Sequence, residues 1–194
     1  MNLLTPTGFW FIRHGETDWN AQNLSQGDID IPLNAVGRAQ AKSAAALMEG
    51  HKLSTIVSST LSRALDTAQA VSEVTGVPVQ TDDRLREVKF GEQEGLPMGD
   101  WYDDWIAGTY TPKGAEVFAD LRTRAAEAVN RAIAKPAPVL IVAHGALFRA
   151  IRSAMGLEPN VRTPNAVPIY CQPPAAPGDV WTLLPVDSAG PAKV

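Results

Sequence analysis

The chain has one cysteine, three histidines and no block of consecutive basic residues in its 194 positions. A lone cysteine, Cys171, excludes an internal disulfide and any cysteine-built metal cluster, and it fits a reducing compartment such as the cytoplasm. So few histidines are a poor supply for a zinc or two-metal hydrolase, so no metal and no cofactor are expected. Seventeen basic residues against twenty-one acidic ones give a net charge of -4, which argues against a nucleic-acid surface. The longest apolar runs, such as PVLIVA at 138–143, fall far short of the roughly eighteen residues of a membrane span. The start, MNLLTPTG, lacks the basic segment, apolar stretch and cleavage site of a secretory signal. Neither GxGxxG nor GxxxxGK[ST] occurs, so a nucleotide-binding reading has no phosphate loop.

What remains is a chain that is 45% hydrophobic and long enough to bury a sizeable core as one domain spanning 1–194, with residues 187–194 as a flexible tail. Strands are expected at 8–13, 54–59, 77–82, 138–143 and 179–186. Helices are expected at 34–50, with Asn34 as N-cap and Gly50 as stop, and after Ser58 or Ser59 as cap in TLSRALDTAQAVSEVTG. A third helix puts Val117, Leu121, Ala125, Val129 and Ala132 on one face, and a fourth covers ALFRAIRSAMG. Apolar strands alternating with amphipathic helices predict an α/β fold with a mostly parallel sheet covered on both faces. Residues 90–114 break the pattern and read as a loop-rich insertion over the substrate site, with a short helix at 101–106.

Open sheets of this kind place their chemistry at the carboxyl ends of the strands. In FWFIRHGETDWN the buried strand runs straight into Arg13 and His14, and VLIVAHGALFRA repeats the pattern with His144 and Gly145. Two of the three histidines thus hold equivalent positions at two strand tips, and the tip of STIVSS leads to Arg63. Arg13, His14, Arg63 and His144 beside helix N-termini make a receptor for an anion, most naturally a phosphoryl group.

RHGETDWN followed by SQGDIDIPLNAVGRAQA, SSTLSRALDTAQA, LREVKFGEQEG and VAHG resembles the histidine phosphatase superfamily, the phosphoglycerate mutase-like family, over about residues 9–165. The resemblance implies a three-layer α/β/α sandwich. It implies that His14 is the nucleophile, that Arg13, Asn20, Arg63, His144 and Gly145 hold the phosphoryl group, and that Glu87 is the proton donor. Arg13 and Arg63 should lower the pKa of His14 and keep it neutral. The implied activity is metal-independent hydrolysis of a small phosphorylated metabolite through a phosphohistidine. The alternatives are a mutase-type phosphotransferase and, further off, a non-catalytic module that binds phosphorylated ligands.

Other residues have plainer readings. Asn20 also suits a turn cap, His51 a surface position near a helix end, and Arg149 and Arg152 a solvated helix face or pairs with acids. Trp101, Tyr102, Trp105 and Tyr110 suit either a lid core or a site wall. Many family members carry GES before the long helix where this chain has GAEV, so a substrate contact from that serine is not carried over. Glu92, Glu94, Asp100, Asp103 and Asp104 against Lys113 predict an acidic cover that repels a second anion and favours phosphatase over mutase chemistry. The sequence leaves the oligomeric state and the substrate open.

Overall fold

The computed structural model describes residues 4–176 and 179–186; the expected tail, 187–194, lies outside the described residues. In chain order the elements are β1 (Phe9–Arg13), α1 (Asp18–Ala21), α2 (Ala35–Met48), β2 (Thr55–Ser58), α3 (Ser62–Thr75), β3 (Val79–Thr81), α4 (Trp101–Ala107), α5 (Phe118–Ile133), β4 (Val139–Ala143), α6 (Gly145–Ala154), β5 (Pro168–Gln172) and β6 (Thr182–Pro185). The strands form one sheet in the order β3-β2-β4-β1-β5-β6. The first four run parallel, and β5 pairs antiparallel with both β1 and β6.

Alternation along the strands builds the layers. Phe9 and Phe11 of β1, with Val139 and Ile141 of β4, join α4, α5 and α6 in one apolar cluster. Trp10, Ile12, Leu140 and Val142 point the other way, into a second cluster with α2 and α3. Because side chains alternate across a sheet, one uninterrupted apolar strand feeds two cores at once. The expected three-layer α/β/α sandwich is the observed fold.

Several details differ from the sequence reading. β5 was not expected: YCQ sits between Pro164, Pro168 and Pro173, and prolines argue against a sheet interior. Pro168 opens the strand, which keeps its missing N–H at the end of the ladder. Neither Ser58 nor Ser59 caps α3, whose N-cap is Leu61 without a side-chain bond. Asn34 does cap α2, its Oδ1 accepting from Gly37 N–H at 2.8 Å, but the helix ends at Met48, before Gly50. Val117 precedes α5 as its N-cap and is exposed, while Leu121, Ala125, Val129 and Ala132 are buried as expected. His51 packs its ring on Trp10 at 4.6 Å and is half-buried. Among the described residues no helix is long and apolar enough to cross a membrane.

Candidate active site

β4 lies between β2 and β1, with Arg13 in register with Ala143 and Ser58 with Val142. The next residue on each strand therefore emerges at one edge. His14 N–H donates to Ala143 carbonyl and Ser59 N–H to Val142 carbonyl, each at 3.0 Å. The His14 and His144 rings come within 5.2 Å, centroid to centroid. Both are buried.

The hydrogen bonds decide where the ring protons sit. His14 Nδ1 lies 2.7 Å from the Gly15 carbonyl, which can only accept, so Nδ1 carries the proton and Nε2 keeps its lone pair. Burial first, then the charges of Arg63 and Arg13, push the His14 pKa well below its ordinary value. The ring is therefore neutral, and Nε2 is the nitrogen that keeps a lone pair. His144 Nε2 lies 2.7 Å from Ser59 Oγ, which already accepts from Leu61 N–H at 3.3 Å. Among the described residues Nε2 is the acceptor left for that hydroxyl proton, so the ring proton of His144 falls on Nδ1. That nitrogen is buried without a hydrogen-bond partner. The His144 pKa is also pushed well down, by burial first and then by Arg63.

The arginines are anchored on one side only. Arg63 donates to the carbonyls of Ile29 at 2.7 Å and Gly27 at 2.9 Å, and Arg13 donates to Thr163 carbonyl at 2.7 Å. The Nε of each is buried and has no hydrogen-bond partner among the described residues. Gly145 lets Arg13 lie close, since a Cβ there would meet Arg13 Nε at 3.3 Å. Burial lowers the Arg13 pKa to about 10, which still leaves it charged at neutral pH. Buried polar groups almost always find partners. Arg13 Nε, Arg63 Nε and His144 Nδ1, gathered around His14, are three donors that an anion would satisfy together.

Glu87 is 9% exposed and accepts from the N–H groups of Val88 at 3.1 Å, Ala146 at 3.0 Å and Leu147 at 2.9 Å. The first turn of α6 thus fixes its carboxyl group, as helix N-termini do for anions. Asn20 takes the capping part considered for it and also lines the cavity. Its backbone and Oδ1 form a capping box with Thr17, and Asn165 also donates to Oδ1 at 3.3 Å. Its Nδ2 protons are what remain for a ligand. Arg13, His14, Asn20, Arg63, Glu87 and Gly145 all line one cavity of about 430 Å³.

That cavity also contains residues the sequence reading placed elsewhere. Arg149 is not on a solvated face: it lines the cavity with its guanidinium 4.6 Å from the centre of the Tyr102 ring. Arg162, Asn160 and Thr163 reach the cavity from the α6–β5 connection, which carried no signal of its own. From the 90–114 segment, Phe90, Met98, Gly99, Asp100, Tyr102 and Asp103 line the cavity. Its acids form the expected repelling cover only in part. Glu94 is turned inward onto the N–H groups of Asp28 and Phe90, while Glu92 and Asp104 are exposed and accept from Lys113 N–H and Thr109 Oγ1. Only Asp100 and Asp103 of that group line the cavity. Trp105 is core, its Nε1 donating to Glu116 carbonyl at 2.9 Å, and Tyr110 is exposed.

A buried neutral histidine ringed by arginines at parallel strand tips defines a phosphoryl-handling site. Residues 9–166 match the model of the histidine phosphatase superfamily, branch 1, and the chain belongs to that family. It is 34% identical to the glucosyl-3-phosphoglycerate phosphatase of Mycobacterium tuberculosis over 74% of this chain and 73% of that protein. A solved mycobacterial glucosyl-3-phosphoglycerate phosphatase complexed with VO3 superposes with a TM-score of 0.79 at 31% identity, covering 91% of this chain and 97% of the other. The phosphatase PhoE of Bacillus subtilis is 34% identical over 83% of this chain and 84% of its own. A probable phosphoglycerate mutase, GpmB of Yersinia enterocolitica, is 35% identical over 78% and 76%. With these relatives the chain stands as a phosphatase of the family, a phosphoric monoester hydrolase.

Proposed function

We propose that the protein hydrolyses small phosphomonoesters through a phosphohistidine on His14, without a metal ion. The observation that carries this reading is the set of three buried, unpartnered donors around a neutral His14 whose Nε2 is free. In the first step the Nε2 lone pair forms an N–P bond as the ester P–O bond breaks, and the departing alkoxide takes a proton from the Glu87 carboxyl. In the second, water attacks phosphorus and gives a proton to the Glu87 carboxylate while the N–P bond breaks. Arg13, Arg63, Asn20 and His144 Nδ1 would hold the equatorial oxygens, where phosphoryl-transfer transition states carry their charge. The arginines supply the positive charge that a divalent cation supplies elsewhere. The single cysteine, buried Cys171, supports a cytoplasmic setting.

Hydrolysis is favoured over a mutase reaction because Asp100 and Asp103 flank the cavity, which opposes a doubly charged partner group. Brief mixing with phosphorus-labelled substrate, followed by denaturation, should leave an acid-labile, base-stable label on the wild type and none on His14→Ala. Chelators should leave turnover unchanged. Label on serine, full activity in His14→Ala, or a strict demand for an added divalent ion would each overturn the mechanism, and fast interconversion of 3- and 2-phosphoglycerate would favour the mutase.

A further inference from the structure

Glu116 of the GAEV stretch pairs with Arg124 of α5, eight residues on, through a two-point fork: Nε donates to Oε1 at 2.9 Å and NH2 to Oε2 at 2.7 Å. The remaining arm of the guanidinium points away from that carboxylate. Arg124 NH1 donates to the carbonyls of Arg84 at 2.7 Å and Arg86 at 2.8 Å. The Arg86 carbonyl belongs to the peptide bond that leads into Glu87. A planar guanidinium suits this work because its donors keep a fixed geometry.

These contacts close a ring around Glu87. It runs from Arg124 to the Arg86 carbonyl, along Glu87 and Val88 to the Lys89 carbonyl, across to Glu116 N–H at 2.9 Å, and back through the Glu116 carboxylate. Glu116 is itself held, since its carbonyl accepts from Nε1 of buried Trp105 at 2.9 Å. Leu85 and Val88, both buried, sink the same segment into the core. Apolar contacts are non-directional, so they set its depth and leave its orientation to the hydrogen bonds. Arg86 ties the segment to Asp28 at 2.7 Å, but its side chain is 35% exposed against 24% for Arg124. Water therefore weakens the Asp28 tether more.

We propose that Arg124, paired with Glu116, is a positioning residue that aligns Glu87 for proton transfer. The inference rests on the phosphatase reading above, in which Glu87 is the proton donor, and adds the group that aims it. Ala146 and Leu147 N–H of α6 hold the Glu87 carboxyl group, and Arg124 of α5 holds the peptide before it. A side chain fixed at its tip and at its base is confined to one pose, and releasing the base lets the carboxyl group drift from the leaving oxygen.

The test compares glycerol 3-phosphate, whose alkoxide needs a proton to leave, with p-nitrophenyl phosphate, whose nitrophenolate does not. kcat/KM reports the steps up to departure of the leaving group, so only the first probe depends there on Glu87 as an acid. In Arg124→Met, kcat/KM for glycerol 3-phosphate should fall by about tenfold to a hundredfold, and that for p-nitrophenyl phosphate should stay within about twofold. Amide hydrogen exchange at Ala146 and Leu147 should quicken by about tenfold, with exchange in β4 unchanged, because their carboxylate acceptor is no longer held. Glu116→Gln, which keeps one oxygen for Arg124, should show the same pattern more weakly, and it carries the test if Arg124→Met does not fold. A parallel fall for both probes, or no fall, would overturn the positioning role and leave the phosphatase reading intact. If the wild type leaves glycerol 3-phosphate intact, exchange decides: quickening confined to Ala146 and Leu147 sustains the hold on Glu87, and unchanged exchange overturns it. Failure to hydrolyse p-nitrophenyl phosphate as well would separately overturn the phosphatase reading.

Discussion

Ser59 Oγ lies 2.7 Å from His144 Nε2, and this bond places the proton of the second active-site histidine on the nitrogen that has no protein partner. A neutral imidazole has one donor and one acceptor; with Ser59 Oγ already accepting from Leu61 N–H and its own proton needing an acceptor, Nε2 is assigned as that acceptor and Nδ1 as the donor. Ser59 stands one residue beyond β2, and the neighbouring strand pairing brings it to His144.

Replacing Ser59 with alanine should free the His144 ring to take either tautomer and leave Nε2 buried without a partner. Losing one such bond costs about 1–3 kcal/mol, so kcat/KM should fall by roughly tenfold or more. A structural role alone would lower thermal stability without changing kinetics. Unaltered kcat/KM in a destabilised Ser59→Ala protein would therefore reject the positioning role.

Activity should persist at mildly acid pH. In the proposed mechanism neutral His14 is the attacking form, and burial with Arg63 and Arg13 lowers its pKa well below its ordinary value of 6.5. The nucleophile is thus lost only when pH falls through that lowered value, and the acid limb of kcat/KM due to His14 should lie well under pH 6.5. An acid limb centred near 6.5 that persists in the single-turnover rate with p-nitrophenyl phosphate, whose leaving group needs no proton, would contradict this assignment.

Stability should move with the same groups. Below pH 6.5 the unfolded chain protonates His14 and His144 while the native state, with both values pushed down, does not. The unfolded state then binds more protons, so unfolding free energy falls as pH drops below 6.5 and is fully retained above it. The melting temperature should decline between pH 6.5 and 5, and His144→Gln should flatten that decline. An identical slope in wild type and variant would show that the histidines do not carry it.

Glu87→Gln separates the two proton transfers. The variant can neither donate to an alkoxide nor accept from water, so steady turnover of an alkyl phosphate should drop by about 10²–10⁴. With p-nitrophenyl phosphate the leaving group needs no proton, so a burst of nitrophenol approaching one per site should precede slow turnover. The glutamine NH2 would also face an N–H of Ala146 or Leu147, so some loss of stability is expected. Wild-type rates on both substrates would remove Glu87 from the mechanism.

Gly37→Ala probes the loop that carries the nucleophile. A Cβ at Gly37 would run into the backbone oxygen of Glu16, and one at Gly15 into the backbone of Gly37. The start of α2 is thus pressed against the turn after His14, and Glu16 N–H is held by Gln40 Oε1 at 2.8 Å. The alanine should push this turn outward, lowering stability by about 1–3 kcal/mol and activity with it. A variant with wild-type melting temperature and kcat/KM would show that the contact yields freely.

How much of this was legible in the sequence follows from how local each signal is. An apolar run ending in Arg13-His14 or in His144 announces both a buried strand and what stands at its tip, because the strand and its last residue are adjacent in the chain. Arg63 is five residues past the end of its strand and was readable for the same reason. The helices showed themselves through their apolar period, and the prolines around β5 hid a strand whose partners, β1 and β6, lie elsewhere in the chain.

By itself the sequence determined the layered α/β plan and the residues at the strand tips, because alternation, helical period and motif are properties of neighbouring residues. Only the tertiary structure decided which arginine of α6 meets the cavity, which acids of 90–114 turn inward, and which nitrogen of each histidine carries its proton. Arg149 and Arg152 look alike at three residues apart, yet packing sends the first onto Tyr102 and ties the second, through Nε, to the Glu158 carbonyl at 2.7 Å. Glu94 and Asp103 are both carboxylates on one segment, and the backbone N–H groups of Asp28 and Phe90, from two different loops, take the first out of the site. Such choices depend on partners far away in the chain, and no local pattern of residues encodes them.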